Sequence, residues 1–107
     1  MTKVSFDLHQ TRFKKLTVMG HSGYSEEGSD IVCAAISASV NLANSILEKS
    51  GVKYTERVGK TSVILELTDT DEPIGQYVFD ALFTELEAIS RDFPQNLKVT
   101  AAERSAK

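Results

Sequence analysis

The chain is poor in several things, and each shortage excludes a class of protein. It has one cysteine, so no disulfide can form within it, and a lone thiol suits a reducing compartment. It has two histidines, His9 and His21, far apart in sequence, so no metal-binding set is expected. It lacks an excess of positive charge. The net charge is -3, which does not suit a protein that holds nucleic acid mainly through phosphate contacts. No long apolar run follows Met1, as a signal peptide would require. The longest uncharged stretch, Ile31 to Leu47, is broken by Ser37, Ser39, Asn41, Asn44 and Ser45, and is expected to be too short and too polar to cross a bilayer. Linkers, internal repeats and low-complexity segments are missing. A soluble cytoplasmic protein of one domain, residues 1–107, is the expectation, with the tail from Glu103 to Lys107 frayed.

What is present is ordinary globular material. Hydrophobic residues make up 41% and charged residues 25% of 107 positions, enough to bury a core without staples. Val4, Phe6 and Leu8 alternate with Ser5, Asp7 and His9, the period of a half-buried strand. A second strand is predicted over 12–19 after a turn at Gln10-Thr11. The glycine-rich segment 20–29 reads as a loop. A helix is predicted over 30–49, with Ile31, Ala35, Ala38, Leu42 and Ile46 as its leading apolar stripe and Val32, Ile36, Ala43 and Leu47 widening it. Ser29 or Asp30 is placed to cap its start and Gly51 to end it. The small residues from Ala34 to Ser39 suit close packing on a sheet or a partner.

Residues 52–58 and 61–67 read as a hairpin around Gly59-Lys60. Pro73 opens a second helix to Arg91, with Ile74, Val78, Ala81, Leu82, Leu86 and Ile89 inward. A last strand is predicted over 96–101. The order ββαββαβ implies an α+β fold, a mostly antiparallel sheet covered by two helices. The other sheet face, bearing Lys15, Arg57 and Glu66, is expected to be wet.

The segment with chemical content runs from Gly20-His21-Ser22-Gly23-Tyr24 to Gly28-Ser29-Asp30-Ile31-Val32-Cys33-Ala34-Ala35. It puts a histidine at a strand end and a cysteine in the first turn of the next helix. The thiolate is the nucleophilic form of cysteine, and a helix N-terminus or an imidazolium favours it. Backbone N–H groups there could hold the oxyanion of acyl transfer, and His21 could fold back as the base. Isolated cysteines are more often inert members of a core, and Cys33 follows Ile31 and Val32. Pattern alone leaves both readings standing. Asp30, three residues before Cys33, could orient His21 or cap the helix. Ser37, one turn after Cys33, could bond the cysteine, the histidine, a substrate or its own helix. Gly59-Lys60-Thr61 copies the end of a phosphate-binding loop, but Tyr54 stands where that loop needs glycine, so a strand–strand turn is the better reading.

The stretch from Gly20 to Ser37 resembles the motif of the bacterial ribosomal-processing cysteine proteases called Prp, and chain length and element order agree with that family. The resemblance implies a thiol protease without cofactor or metal. It would remove a short N-terminal extension from large-subunit ribosomal protein twenty-seven during ribosome assembly, cutting within an apolar-aromatic stretch. It implies Cys33 as nucleophile and His21 as general base. Asp30 and Ser37 fall on family positions. Gly20, Gly23, Tyr24 and Ser37 are candidates for holding substrate, with the 20–29 loop closing over it. It also implies a homodimer. The rival reading is a non-catalytic ribosome-assembly module with a structural cysteine.

Overall fold

The computed structural model describes residues 1–20 and 27–104, with the side chains of 27–30 outside the description. Its order is β1 (Thr2–His9), β2 (Arg12–Met19), α1 (Glu27–Lys49), β3 (Tyr54–Val58), β4 (Ser62–Leu67), α2 (Pro73–Asp92) and β5 (Leu97–Glu103). The strands form one sheet in the order β3-β4-β2-β1-β5. Three neighbouring pairs are antiparallel, and β5 lies parallel to β1. Both helices pack on one face, as the sequence predicts for an α+β domain.

Alternation in the strands sets the layers. Val4, Phe6, Leu16, Leu65, Leu67 and Leu97 face the helices and are buried. Phe6 is the centre of an aromatic cluster, edge-on to Phe13, Phe79 and Phe83 with ring centroids 5.2–6.2 Å away. On the opposite face Lys15 pairs with Glu66 in register, and Arg57 with Ile64. Asp7 there faces Lys15 at 3.9 Å and Arg104 at 3.2 Å. This is the polar face expected from the sequence.

Several boundaries are decided by non-local contacts. Gln10 and Thr11 form a two-residue turn with φ of +52° and +65°, the mirror-image class that matches strand twist. The Glu103 carboxylate accepts both of their N–H groups. The carbonyl of Leu8 accepts the N–H of Arg104 at 2.8 Å. Glu103 and Arg104 are therefore tied to the β1–β2 turn, and fraying does not begin at Glu103 as expected; residues 105–107 lie outside the described set. α1 ends in a Schellman arrangement: Val52 donates to Leu47 and Gly51 to Glu48, with Gly51 at φ +74°. α2 starts at Pro73, where the Glu72 side chain accepts from the N–H groups of Ile74 and Gly75.

Three expectations about α1 need correction. The helix begins at Glu27, so Ser29 and Asp30 are its third and fourth residues and neither is its cap. Acidic residues at 27 and 30 both suit the positive end of a helix, which lets it start earlier than a cap-based reading places it. The buried stripe is Val32, Ile36, Val40, Ala43 and Leu47. The stripe expected to lead, with Ile31, Leu42 and Ile46, is exposed, as are Ile74 and Ala81 of α2. By length and mean hydropathy of 1.5, Ile31–Lys49 is apolar enough to cross a bilayer, contrary to the expectation from its serines and asparagines. Here one face of it is packed on the sheet as a layer of the domain.

Candidate active site

Cys33 is placed by the core around it. Val32 and Ile36 are both buried under α1, which fixes the rotation of the helix about its axis. A residue one step after Val32 is turned by about 100°, so the thiol sits at the edge of the buried stripe, half-buried. It lines a cavity of about 360 Å³ at the end of the sheet that carries Met19 and Ser62.

Four parts of the chain build that cavity. α1 supplies Cys33, Ile36 and Ser37. β2 supplies Val18 and, just past its end, Gly20. The β3–β4 hairpin supplies Val58 to Val63, and Thr2 closes the side. Register explains how the hairpin arrives there: Val18 pairs with Val63 and Met19 with Ser62, so the tip of the hairpin stands beside the exit of β2. Gly20 then donates its N–H to the Thr61 carbonyl at 2.9 Å, and Gly59 donates to the Ser62 carbonyl at 2.8 Å. Gly20 has φ of +87°, a backbone conformation costly for residues with a Cβ.

The structure therefore brings together Cys33, Ser37 and Gly20 among the candidates. His21, Gly23 and Tyr24 lie outside the described residues, and of Asp30 only the backbone is described, in the first turn of α1. Cys33 is the seventh residue of the helix, in its second turn, rather than in the first turn as expected. The N–H groups not used by the helix itself belong to residues 27–30, one turn earlier, and helical side chains lean in that direction.

Sequence reasoning missed the far wall. Val58, Val63 and Val18 make it apolar, and Lys60 is its one charged residue among the described lining. The Gly59-Lys60-Thr61 segment is the strand–strand turn expected of it. Its position opposite Cys33 follows from the β2–β4 pairing, and no local signal in the sequence carries that. A larger hollow of about 460 Å³ lies near the other end of β1, lined by Asp7, His9, Lys14 and Arg104. Its lining contains no cysteine or serine; the hydroxyls there are those of Thr68 and Thr70. Among the described residues no cluster of three His, Cys, Asp or Glu side chains could hold a metal ion.

Comparison with known proteins agrees with this fold. A ribosomal processing cysteine protease Prp of Mycoplasma genitalium is 30% identical over 84 residues, 78% of this chain and 84% of that protein. The Prp of Bacillus subtilis is 26% identical over 99 residues, 86% and 88% of the two chains. The crystal structure of the S. aureus ribosomal processing protease Prp, with a covalently linked product peptide, superposes with a TM-score of 0.86 at 20% identity, covering 95% of this chain and all of that one. The family model described as cysteine protease Prp matches residues 1–98, and on that match this chain belongs to the Prp family of ribosomal processing cysteine proteases.

Proposed function

We propose that this protein is an endopeptidase that removes the N-terminal extension of large-subunit ribosomal protein twenty-seven during ribosome assembly, working in the cytoplasm as a homodimer. Cys33 is the nucleophile and His21 the general base. The observation that carries the reading is the half-buried Cys33 thiol in the wall of a cavity with an apolar far side. Val18, Ile36, Val58 and Val63 suit the apolar-aromatic stretch in which such extensions are cut. The S. aureus relative, solved with its product peptide covalently linked, supports acyl transfer as the chemistry.

In this mechanism His21 takes the proton from the Cys33 thiol. The sulfur attacks the scissile carbonyl carbon and the carbonyl oxygen becomes an oxyanion. The tetrahedral intermediate collapses, the C–N bond breaks, and the amine leaves with the proton held by His21. Water, activated by the same imidazole, then hydrolyses the thioester and restores the thiol. N–H groups of the first turn of α1 are the donors proposed for the oxyanion. Ser37 and Gly20 line the cavity and are proposed to position substrate, with Gly23 and Tyr24 of the adjoining segment. Asp30 is proposed to orient His21, since the helix backbone leaves it no capping task.

The test is to incubate the protein and its Cys33→Ala variant with the precursor ribosomal protein and weigh the products by mass spectrometry. The wild type should release the extension at one site and the variant should release none. Equal cleavage by the variant would remove Cys33 from the mechanism. Binding of the precursor without cleavage by either would favour a non-catalytic assembly module.

A further inference from the structure

The sheet has an edge that ends at the Cys33 cavity. β3 is the last strand on its side, and among the described residues no strand pairs with its outer edge. Its pairing with β4 runs unbroken from Tyr54 to Val58, so neither a bulge nor a proline blunts that edge. In an antiparallel ladder, residues bonded to one neighbour alternate with residues whose N–H and C=O groups face the other way. Gly59 donates to the Ser62 carbonyl at 2.8 Å, and the Lys53 carbonyl accepts from Thr68 at 3.1 Å. Lys53, Thr55, Arg57 and Gly59 therefore bond to β4. The N–H and C=O groups of Tyr54, Glu56 and Val58 point outward.

Side chains follow the same alternation. Tyr54 lies on the helix side of the sheet, where its hydroxyl donates to the Asn44 side chain of α1. Glu56 and Val58 share that side. Val58, 69% exposed, lines the cavity with Cys33. No residue of β5, the other edge strand, belongs to the described lining. Charge is graded along β3. Burial first, then the charges of Glu48 and Glu56, raises the Tyr54 pKa, so both carboxylates lie near that hydroxyl. At the cavity end the charge is Lys60.

We propose that β3 is the docking strand for the part of the substrate that follows the scissile bond, and that Glu56 and Glu48 select a basic residue there. This rests on the protease reading above. It adds which side of the cut is held, in which direction, and by what charge. With the apolar extension in the cavity, the chain that leaves it runs from Val58 towards Tyr54, antiparallel to β3, as a sixth strand. The substrate residue opposite Glu56 exchanges two main-chain bonds with it and turns its side chain to the helix side. It comes two residues after the one opposite Val58. A lysine or arginine there meets Glu56 and Glu48, whereas a lysine at the cut itself meets Lys60. A ribosomal protein offers such a segment, because holding RNA phosphates requires lysine and arginine.

The test uses the full chain and peptides that span the precursor's cleavage site, with Lys, Gln or Glu at each position after the cut in turn. At one position the wild type should prefer Lys to Glu about tenfold in kcat/KM, and less so at high salt. Glu56→Lys should flatten that preference, and Glu48→Lys with Glu56→Lys should invert it. Both side chains are exposed, so these variants should melt with the wild type. Methylating the peptide's backbone nitrogen at that same position should lower kcat/KM about fivefold to tenfold, and at the positions on either side it should cost little. Should a variant unfold, the methylation pattern on the wild type alone decides. Cleavage indifferent to charge, a preference that the variants leave unchanged, or methylation effects that fall elsewhere would overturn the docking strand and leave the protease reading standing. A wild type that cuts none of the peptides would overturn both.

Discussion

Gly20 and Gly51 offer a paired experiment on what holds the site in shape. Both have positive φ, +87° and +74°. A Cβ at Gly51 would have no atom within 4 Å, whereas one at Gly20 would stand 3.1 Å from the Met1 carbonyl oxygen. That oxygen has limited room to retreat, because the next N–H, of Thr2, donates to the Asn96 carbonyl at 2.9 Å. Gly51→Ala thus adds backbone strain alone, about 1 kcal/mol. Gly20→Ala adds the same strain and a crowded carbonyl, about 2 kcal/mol together. For a domain of this size each kcal/mol lowers the melting temperature by about 4–8 °C, so Gly20→Ala should melt about 8–16 °C and Gly51→Ala about 4–8 °C below the wild type. Against a total stability of about 5–15 kcal/mol both stay folded at 25 °C. Activity should separate further. Gly51 lies at the far end of α1 and its variant should cut precursor at the wild-type rate. Gly20 lines the Cys33 cavity and is followed directly by His21, so its variant should lose about tenfold or more in kcat/KM, since misplacement by about 1 Å can cost a hundredfold. Thermal melts by circular dichroism and single-turnover cleavage at 25 °C measure the two effects. A Gly20→Ala protein that melts no lower than Gly51→Ala would refute the steric part. A fully folded one with undiminished kcat/KM would refute the idea that this residue shapes the site.

Two further outcomes follow from contacts outside the cavity. Thr11 is β-branched and sits at φ +65°, so Thr11→Gly should stabilise by about 1 kcal/mol and raise the melting temperature by about 4–8 °C; an unchanged or lower value in calorimetry would contradict the strain. The Tyr54 hydroxyl donates to the Asn44 side chain, and burial first, then the charges of Glu48 and Glu56, raises its pKa above the usual tyrosine value. The unfolded chain releases that proton near pH 10 and the folded one holds it longer, so the stabilisation is present below about pH 10 and is lost as pH rises through the folded value. Urea midpoints of Tyr54→Phe should fall less steeply above pH 10 than those of the wild type, and parallel curves would count against the shift being linked to folding.

The element order was legible because each segment carries one dominant hydrophobic period. Val4-Phe6-Leu8 can only alternate, and Pro73 with its following stripe can only start a helix. What local pattern could not reveal was set by partners distant in sequence. Gln10-Thr11 contains no glycine or asparagine to announce a left-handed turn; the register of β1 on β2 and a carboxylate from Glu103 impose it. The wall of the cavity around Lys60 depends on β4 pairing with β2 across an intervening helix and strand. The stripe on α1 was misassigned for a different reason. When both faces of a helix are apolar, periodicity leaves open which side meets the sheet; here it is the side that carries Val40.

The second-turn position of Cys33 bears on how its thiol would be activated. A helix dipole contributes about 0.3–1 kcal/mol and fades beyond the first turn, less than the 1.4 kcal/mol that one pKa unit represents. A unit charge about 4 Å away contributes about 4 kcal/mol at the effective dielectric of a protein surface. A thiol seven residues into a helix therefore depends on a neighbouring cation more than on the helix. Lys60 is the charged residue of the described cavity lining, and His21 is the base of the proposed mechanism. Of these only an imidazole can also take the thiol proton and return it to the leaving amine near neutral pH. On the proposed mechanism, the place of Cys33 in its helix puts the activation of its thiol on His21, a task that Lys60 cannot take over.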